Sequence, residues 1–394
     1  MKSVLIAAQT PYQFFSAVLI SKKLIDTGSK VSLLLIDPSL KKYYDTCLQS
    51  NIFDDLKYVE VNDRHVSTKP RSLLTKIKRL SRLKFIKSDI DGFLLKSRFS
   101  SIVVFSDNHD ITSYLLQAAK KNINAKTLLA EEGTAVFFSY RIYELGFVKA
   151  TIRQALGFSN YRGYSIGWSP YIDSIIVSLP NIIHEDYKQE RRVYSYPSGP
   201  IPTDVIDLFG KLSELDKTPI DSITQDVFFL GQPWTDLGMW SHASEKKLLH
   251  YLDTSVLANR ICIKPHPFEN KSKYRNLNNI SVIDDLLLDI PAEVLFYRLK
   301  PRIVISVFSS AVLNYCLRYR QKGVFMAFDE LPNNQNNFII NNFKHSEYIK
   351  VVYSIEELDD VLNDFSVFQD NENENELDLN HLWESSINSA VFNL

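Results

Sequence analysis

Short apolar runs recur along the chain, and stretches of helical periodicity separate them. Residues 3–8 (SVLIAA) predict a buried strand, and residues 10–13 (TPYQ) predict the start of a helix that ends near Asp26. Thr10 suits the N-cap position, and Gln13 completes a capping box. The same alternation predicts further strands at residues 31–36, 56–61, 101–105, 127–130 and 175–177. Buried strands that alternate with helices are typical of a parallel, doubly wound sheet.

A second set of strands begins at Val227, after a stretch rich in proline and polar residues. It comprises residues 227–230, 260–264, 280–283, 303–306, 324–328 and a weaker run at 349–352. We therefore predict an α/β protein with two Rossmann-like, doubly wound domains that face a central cleft. The expected bounds are 1–205 for the N-terminal domain, 206–225 for a linker and 226–394 for the C-terminal domain.

Length and composition narrow the function classes. A chain of 394 residues is long for one core, and the net charge of -1 gives no global field for nucleic acid. The first apolar run is broken too early for a signal peptide, and no apolar window is long enough to span a membrane. Three cysteines without metal-ligand spacing indicate core thiols in a reducing compartment. We expect a cytoplasmic protein. The chain has no glycine-rich dinucleotide fingerprint and no P-loop pattern, which argues against a bound dinucleotide and against hydrolysis of a nucleoside triphosphate.

A basic segment interrupts the alternation between Lys69 and Lys87. It holds eight lysines and arginines with leucines and isoleucines at helical spacing. A solvated helix face is the simplest interpretation. The alternatives are peripheral contact with an anionic membrane or with a polyanionic acceptor.

Two carboxylates, Glu131 and Glu132, follow a predicted strand and precede Gly133. Adjacent residues on an extended chain point in opposite directions, so one carboxylate faces the expected cleft and the other is used structurally. A second polar cluster, residues 106–110, follows another strand at the same predicted edge. A solvated acidic turn and an ordinary helix cap are the alternatives.

Polar residues also follow strands in the second half of the chain. His266 lies between two prolines, which fix the backbone, and Lys264 is expected on the same side, where the pair suits a phosphate. Ser309 and Ser310 open a helix whose free N–H groups could bind an anion. Glu293 could accept both hydroxyls of a ribose. The alternatives are a turn histidine, an ordinary N-cap and a first-turn glutamate that favours the helix dipole.

Three short motifs, taken in their order along the chain, resemble the motifs shared by bacterial sialyltransferases. They are Glu131-Glu132-Gly133, His266-Pro267 and Ser309-Ser310. Lys264 is similar to a basic residue before the His-Pro motif in some families, and residues 10–13 are similar to the first helix start of capsule and lipooligosaccharide members. The resemblance spans residues 9–310, and it implies a GT-B fold and transfer of sialic acid from CMP-sialic acid without a metal or other cofactor.

The resemblance also implies roles for individual residues. Glu132 would be the general base on the acceptor hydroxyl, although some families have aspartate there, and His266 would assist the departure of CMP. The implied donor-binding residues are Lys264, Pro267, Glu293, Ser309, Ser310, Gly231 and Gln232. The implied acceptor-side or sugar-binding residues are Gln9, Thr10, Gln13, His109, Glu131 and Gly133. The product would belong to capsule, O-antigen or lipooligosaccharide.

Several alternatives stay open from the sequence. The donor could be another CMP-nonulosonate or CMP-Kdo, or a UDP- or GDP-sugar on the same scaffold. A two-domain ligand-binding protein is the non-enzyme alternative.

Overall fold

The computed structural model describes most of the chain, in ten stretches. These are residues 2–61, 73–107, 109–137, 151, 166–183, 185–197, 199–236, 238–331, 333–364 and 379–392. The side chains at 73–83, 134–135, 186, 333–335 and 379–382 also lie outside the description. Most of the basic segment from Lys69 to Lys87 is therefore outside the described side chains.

The first unit is built on seven parallel strands in the order β3-β2-β1-β4-β5-β6-β7. The strands are β1 (Ser3–Ala8), β2 (Lys30–Leu35), β3 (Asp55–Tyr58), β4 (Ser101–Val104), β5 (Lys126–Ala130), β6 (Ser174–Val177) and β7 (Arg192–Ser195). The helices are α1 (Pro11–Asp26), α2 (Lys41–Ser50), α3 (Leu73–Ser97), α4 (Asp110–Ala118), α5 (Glu185–Glu190) and α6 (Thr203–Leu212). The central strands are buried on both faces, as in parallel sheets that helices cover on each side.

The start of α1 confirms the predicted cap. The Thr10 hydroxyl accepts a hydrogen bond from the Gln13 N–H at 3.2 Å, and Pro11 occupies the first turn. Gln13 Oε1 accepts from the Gln9 N–H at 2.7 Å, one residue earlier than a standard capping box requires. These two hydrogen bonds fix the loop between β1 and α1 to the first turn of the helix.

The second unit is built on six parallel strands in the order β10-β9-β8-β11-β12-β13. The strands are β8 (Val227–Leu230), β9 (Ile261–Lys264), β10 (Ser281–Val282), β11 (Ile303–Ser306), β12 (Lys322–Met326) and β13 (Ile349–Val352). The helices are α7 (His242–Thr254), α8 (Ala292–Leu299), α9 (Ser310–Tyr319), α10 (Asn333–Phe343) and α11 (Ile355–Asn363). Branched and aromatic side chains of β8, β9 and β11 form the core of this unit. Both sheets confirm the predicted α/β class.

The last helix, α12 (Leu379–Phe392), belongs to the first unit. Trp383 is fully buried, and its ring lies 5.7 Å from that of Tyr196. The Ser101 hydroxyl donates to the Val391 carbonyl at 3.0 Å, and Lys126 Nζ donates to the Phe392 carbonyl at 3.2 Å. The helix is placed there because its apolar face covers the first sheet.

The unit bounds therefore differ from the predicted 1–205, 206–225 and 226–394. The first unit comprises residues 1–197, 202–213 and 378–394, and the second comprises 198–201 and 214–377. Residues 206–212 of the predicted linker belong to α6, whose Phe209 ring packs against Phe14 and Phe15 in the first unit. The described part of the chain contains no helix apolar and long enough to cross a bilayer. All three cysteines are buried and unpaired, as expected for core thiols.

Candidate active site

The first sheet collects polar residues where β1, β4 and β5 end. These strands are neighbours, so the residues that follow them meet at one edge of the sheet. Gln9 Nε2 lies 3.5 Å from Thr112 Oγ1, which links the end of β1 to α4. His109 caps α4, and its Nδ1 accepts from the Ile111 N–H at 3.3 Å. The structure thus brings Gln9, Thr10, Gln13, His109, Glu131, Glu132 and Gly133 to this edge; we call them the Glu132 cluster.

The two adjacent carboxylates have different surroundings. Glu131 is buried, and its carboxylate accepts from both the N–H and the hydroxyl of Ser178, the latter at 2.7 Å. Its N–H donates to the Ile176 carbonyl at 3.0 Å and extends the pairing of β5 with β6. Gly133 follows with φ of +67°, a left-handed conformation that favours glycine. Glu131 is thus the carboxylate of the pair that Ser178 holds, and its contact with an acceptor stays a prediction.

Glu132 is the carboxylate of the pair that is suited to proton transfer. Burial raises the pKa of Glu132 to about 7, and the Gln13 side chain acts in the opposite direction. Gln13 is itself buried, and its Nε2 has no hydrogen-bond partner among the described residues. A carboxyl group with a pKa near neutrality can accept a proton efficiently under physiological conditions.

His266 follows β9 in a turn that fixes both its backbone and its ring. Its N–H donates to Glu269 Oε2 at 2.6 Å, and its Nδ1 accepts from the Phe268 N–H at 3.2 Å. Because Nδ1 is an acceptor, the neutral imidazole carries its proton on Nε2. Burial, with the charges of Lys264 and Lys273, lowers the pKa of His266 to about 4. The ligand-free ring is therefore an uncharged donor through Nε2 at neutral pH.

Lys264 and Glu293 are buried close to the same strand end. Lys264 Nζ donates to the Leu288 carbonyl at 2.9 Å, and burial lowers the pKa of Lys264 to about 8 while Glu293 opposes the shift. Glu293 accepts from Asn314 Nδ2 at 3.2 Å, and burial raises the pKa of Glu293. Arg318 Nε donates to Asn314 Oδ1 at 3.3 Å, so α9 supports the carboxylate at the start of α8.

The order of the second sheet reverses between β8 and β11, and this is the switch point where such sheets bind ligands. Ser309 caps α9 by accepting from the Ala311 N–H at 3.2 Å, and Ser310 opens the helix. Gly231 and Gln232 follow β8. We call the polar and turn residues near this edge of the second sheet the His266 cluster: Gly231, Gln232, Lys264, His266, Pro267, Glu293, Ser309 and Ser310. A helix N-terminus with hydroxyls, at the same sheet edge as a neutral imidazole, suits a phosphate group.

Three supporting residues were not recognised in the sequence: Ser178, Glu269 and Asn314. Glu269 stands three residues after His266, a spacing at which a side-chain oxygen can accept from a turn N–H. Ser178 and Asn314 are distant in sequence from their partners, so no local pattern indicates them. Within the described residues, no group of three His, Cys, Asp or Glu side chains is arranged to hold a metal ion.

Comparisons with known proteins agree with this architecture. The model of the family described as alpha-2,8-polysialyltransferase matches residues 5–328. Comparison with curated proteins finds no match. Among solved structures, a putative UDP-N-acetylglucosamine 2-epimerase from Listeria monocytogenes is 12% identical, with a TM-score of 0.53 over 98% of this chain and 91% of its own. Arabidopsis thaliana UGT89C1 complexed with UDP is 11% identical, with a TM-score of 0.52 over 99% and 94%.

A further solved structure, the spinosyn forosaminyltransferase SpnP, is 13% identical, with a TM-score of 0.50 over 99% of this chain and 95% of its own. At these identities the likeness concerns the fold alone. The fold is that of the GT-B glycosyltransferases, with two Rossmann-like domains.

Proposed function

The chain belongs to the alpha-2,8-polysialyltransferase family, and on this premise we propose that it transfers sialic acid from CMP-sialic acid to a glycan hydroxyl. Membership makes it a sialyltransferase-type glycosyltransferase, with a sugar donor and a glycan acceptor. The proposal adds the CMP-activated donor, inversion at the anomeric carbon and independence of metal ions. The acceptor would belong to capsule, O-antigen or lipooligosaccharide, and the family description makes an oligosialic acid the first acceptor to test.

The observation that carries the proposal is the placement of Glu132 directly after β5 at the carboxyl edge of the first sheet, where burial raises its pKa to about 7. The acceptor oxygen attacks the anomeric carbon of the donor, and its proton passes to Glu132. The bond between that carbon and the phosphate oxygen breaks, and its electron pair leaves with CMP. A single displacement of this kind inverts the anomeric centre, as in other transfers assisted by one carboxylate base.

The His266 cluster supports the departure of CMP. Negative charge develops on the phosphate as the bond breaks, so fixed donors that meet it lower the barrier. The Nε2–H of His266 and the first N–H groups and hydroxyls of α9 are such donors. The buried positive charge of Lys264 strengthens the local field. Glu293 would accept the ribose hydroxyls, with Asn314 holding its carboxylate.

A panel of nucleotide sugars tests the donor. Purified protein would be incubated with CMP-sialic acid, CMP-Kdo and a UDP- and a GDP-sugar, each with an oligosialic acid and with a neutral oligosaccharide acceptor. We expect CMP release and product with CMP-sialic acid, unchanged by EDTA. Turnover with only CMP-Kdo or only a UDP- or GDP-sugar would reject the donor assignment, and turnover lost to EDTA and restored by Mg²⁺ would reject the metal-independent mechanism.

Location belongs to the same proposal. A cytoplasmic enzyme would meet both CMP-sialic acid and the growing glycan at the inner face of the cell membrane. The basic segment from Lys69 to Lys87 would supply the peripheral contact through its charge.

A further inference from the structure

We infer that Glu269 is a positioning residue, which holds the turn after β9 so that the His266 imidazole presents its Nε2–H in one fixed direction. The catalytic use of that N–H rests on the proposed function. The placement itself rests on the contacts of Glu269.

Glu269 is a buried carboxylate that accepts from three separate groups. Its Oε2 accepts from the His266 N–H at 2.6 Å, and its Oε1 is 2.6 Å from Lys273 Nζ. The Tyr274 hydroxyl lies 3.0 Å from both oxygens. Burial raises the pKa of Glu269, while the charge of Lys273 and the hydrogen bonds oppose the rise. A buried carboxylate satisfied by three donors is held in one orientation, because losing any donor leaves it unpaired.

The neighbours of Glu269 are fixed in turn. Lys273 also pairs with Glu245 on α7, and Tyr274 is buried in the core of the second unit. The carboxylate is thus anchored to a helix and to the core, while the turn that it holds carries His266. Movement of His266 would require this whole group to rearrange.

Gly231 shows how closely the carboxylate fits against β8. A Cβ atom added at Gly231 would lie 2.2 Å from Glu269 Oε2 and 2.6 Å from the Tyr274 hydroxyl. The Gly231 N–H donates to the Lys264 carbonyl at 2.9 Å, so the ends of β8 and β9 are joined at the same place. Only glycine leaves room for the carboxylate here. This close packing explains why position 231 is a glycine without any contact with the sugar donor.

The experiment compares Glu269→Met, which has a similar shape but no acceptor, with Glu269→Gln, which keeps one carbonyl acceptor. The matched control is Asp253→Leu, because Asp253 is a buried carboxylate of the same unit that accepts from the N–H groups of Asn278, Asn279 and Ile280. Histidine-selective isotope labelling, assigned with His266→Gln, reports the tautomer of His266 by NMR without any substrate. Donor turnover and thermal unfolding are measured on the same samples.

We expect the wild-type chain to show a single neutral tautomer with the proton on Nε2. Glu269→Met should give a mixture of tautomers and lower kcat by roughly 10- to 100-fold, because misplacing a reacting group by about 1 Å can cost that much. The tautomer ratio and kcat of Glu269→Gln should lie between those of the wild type and Glu269→Met. Asp253→Leu should lose stability without changing the His266 signals or kcat.

A Glu269→Met protein with a wild-type tautomer and a wild-type kcat, assayed well below its own unfolding temperature, would overturn the inference. If Glu269→Met does not fold, Gly231→Ala displaces the same carboxylate and is measured in its place beside Glu269→Gln. Unchanged tautomers in both would equally overturn it. A mixed tautomer in a protein whose wild type does not use CMP-sialic acid would support the placement of His266 and reject the proposed function.

Discussion

At the scale of single residues, the surroundings of Glu131 and Glu132 decide their chemistry. Both are glutamates at the end of β5, yet Glu131 is saturated by Ser178 while Glu132 is raised to a pKa of about 7. The alternation of side chains along a strand predicts that they point in opposite directions. It does not predict which of the two meets a donor, because Ser178 is far along the chain.

Replacing Glu132 with glutamine should remove transfer and leave CMP binding nearly intact. Loss of a general base costs about 10² to 10⁴ in rate, whereas the proposed CMP contacts lie in the other unit. Turnover and CMP affinity, the latter by calorimetry, are measured separately. Glu131→Gln is the matched control, and it should lower stability through Ser178 more than it lowers kcat. A Glu132→Gln enzyme within threefold of the wild-type rate would remove Glu132 from the role of base.

The pH dependence of the reaction should follow the same carboxyl group. Only ionised Glu132 can accept a proton, so kcat/KM should rise as the pH rises through about 7, and it should fall again above about 8, where Lys264 loses its positive charge. His266, with a pKa of about 4, stays neutral through this range in the free enzyme and adds no second limb. The measurement is kcat/KM for the donor at saturating acceptor. A profile that is flat around neutrality would contradict the assignment.

Stability should show the opposite trend with pH at this position. The pKa of Glu132 is raised in the folded chain, so its contribution to stability is present below its unfolded pKa and is lost as the pH rises through about 7. Glu132→Gln lacks this dependence, and its unfolding temperature relative to the wild type should increase between acid and neutral pH. A constant difference would mean that the carboxyl is not buried as described.

At the scale of elements, local patterns predicted the strands and the start of α1, but they did not predict which sheet every helix packs against. Strand positions follow from apolar runs, and Thr10, Pro11 and Gln13 carry their capping chemistry locally. The assignment of α12 to the first unit has no such local signal. Its apolar face could cover either sheet, and the choice depends on which sheet has an uncovered face. The Glu269 carboxylate was missed although its partners His266, Lys273 and Tyr274 are close in sequence, because spacing alone does not show that one buried carboxylate meets all three.

The contribution of α12 can be tested through Trp383. Its side chain is fully buried against the first unit, so Trp383→Ala should destabilise that unit by about 3–5 kcal/mol, and Trp383→Phe by less. Hydrogen exchange of the strands β4 and β5 reports the effect within that unit. Val256→Ala is the control, because this side chain is 89% exposed and its loss should change little. Equal protection of β4 and β5 in Trp383→Ala and wild type would show that α12 does not hold the sheet.

At the scale of the whole molecule, each sheet reverses its strand order once, and the residues of the two clusters follow the strands at these reversals or the strands next to them. β1 and β4 carry the reversal in the first sheet, and β8 and β11 carry it in the second. Parallel strands share one carboxyl edge, so the sequence could place Glu132 and His266 at strand ends before the order was known. A base in the first unit and a phosphate site in the second are the two components that the proposed transfer reaction requires.

The basic segment from Lys69 to Lys87 would add a membrane contact that belongs to neither site. Eight basic residues between apolar ones exceed what solubility requires at a net charge of -1. Each lysine or arginine near an anionic surface contributes on the order of 1 kcal/mol. Replacing Lys76, Lys78, Arg79 and Arg82 with glutamine should therefore weaken binding to vesicles that contain an anionic phospholipid, with the largest loss at low salt.

Turnover of a short soluble acceptor should stay unchanged in this variant, because the four residues precede β4 and lie in neither cluster. Replacing Lys121, Lys211, Lys246 and Lys247 in the same way is the matched control, since these are exposed lysines outside the segment and the change removes equal charge. Vesicle sedimentation at two salt concentrations, with the transfer assay beside it, measures both effects. If the wild type does not bind vesicles at low salt, or if both quadruple variants bind equally well, the segment is a solvated helix face and the membrane contact is withdrawn.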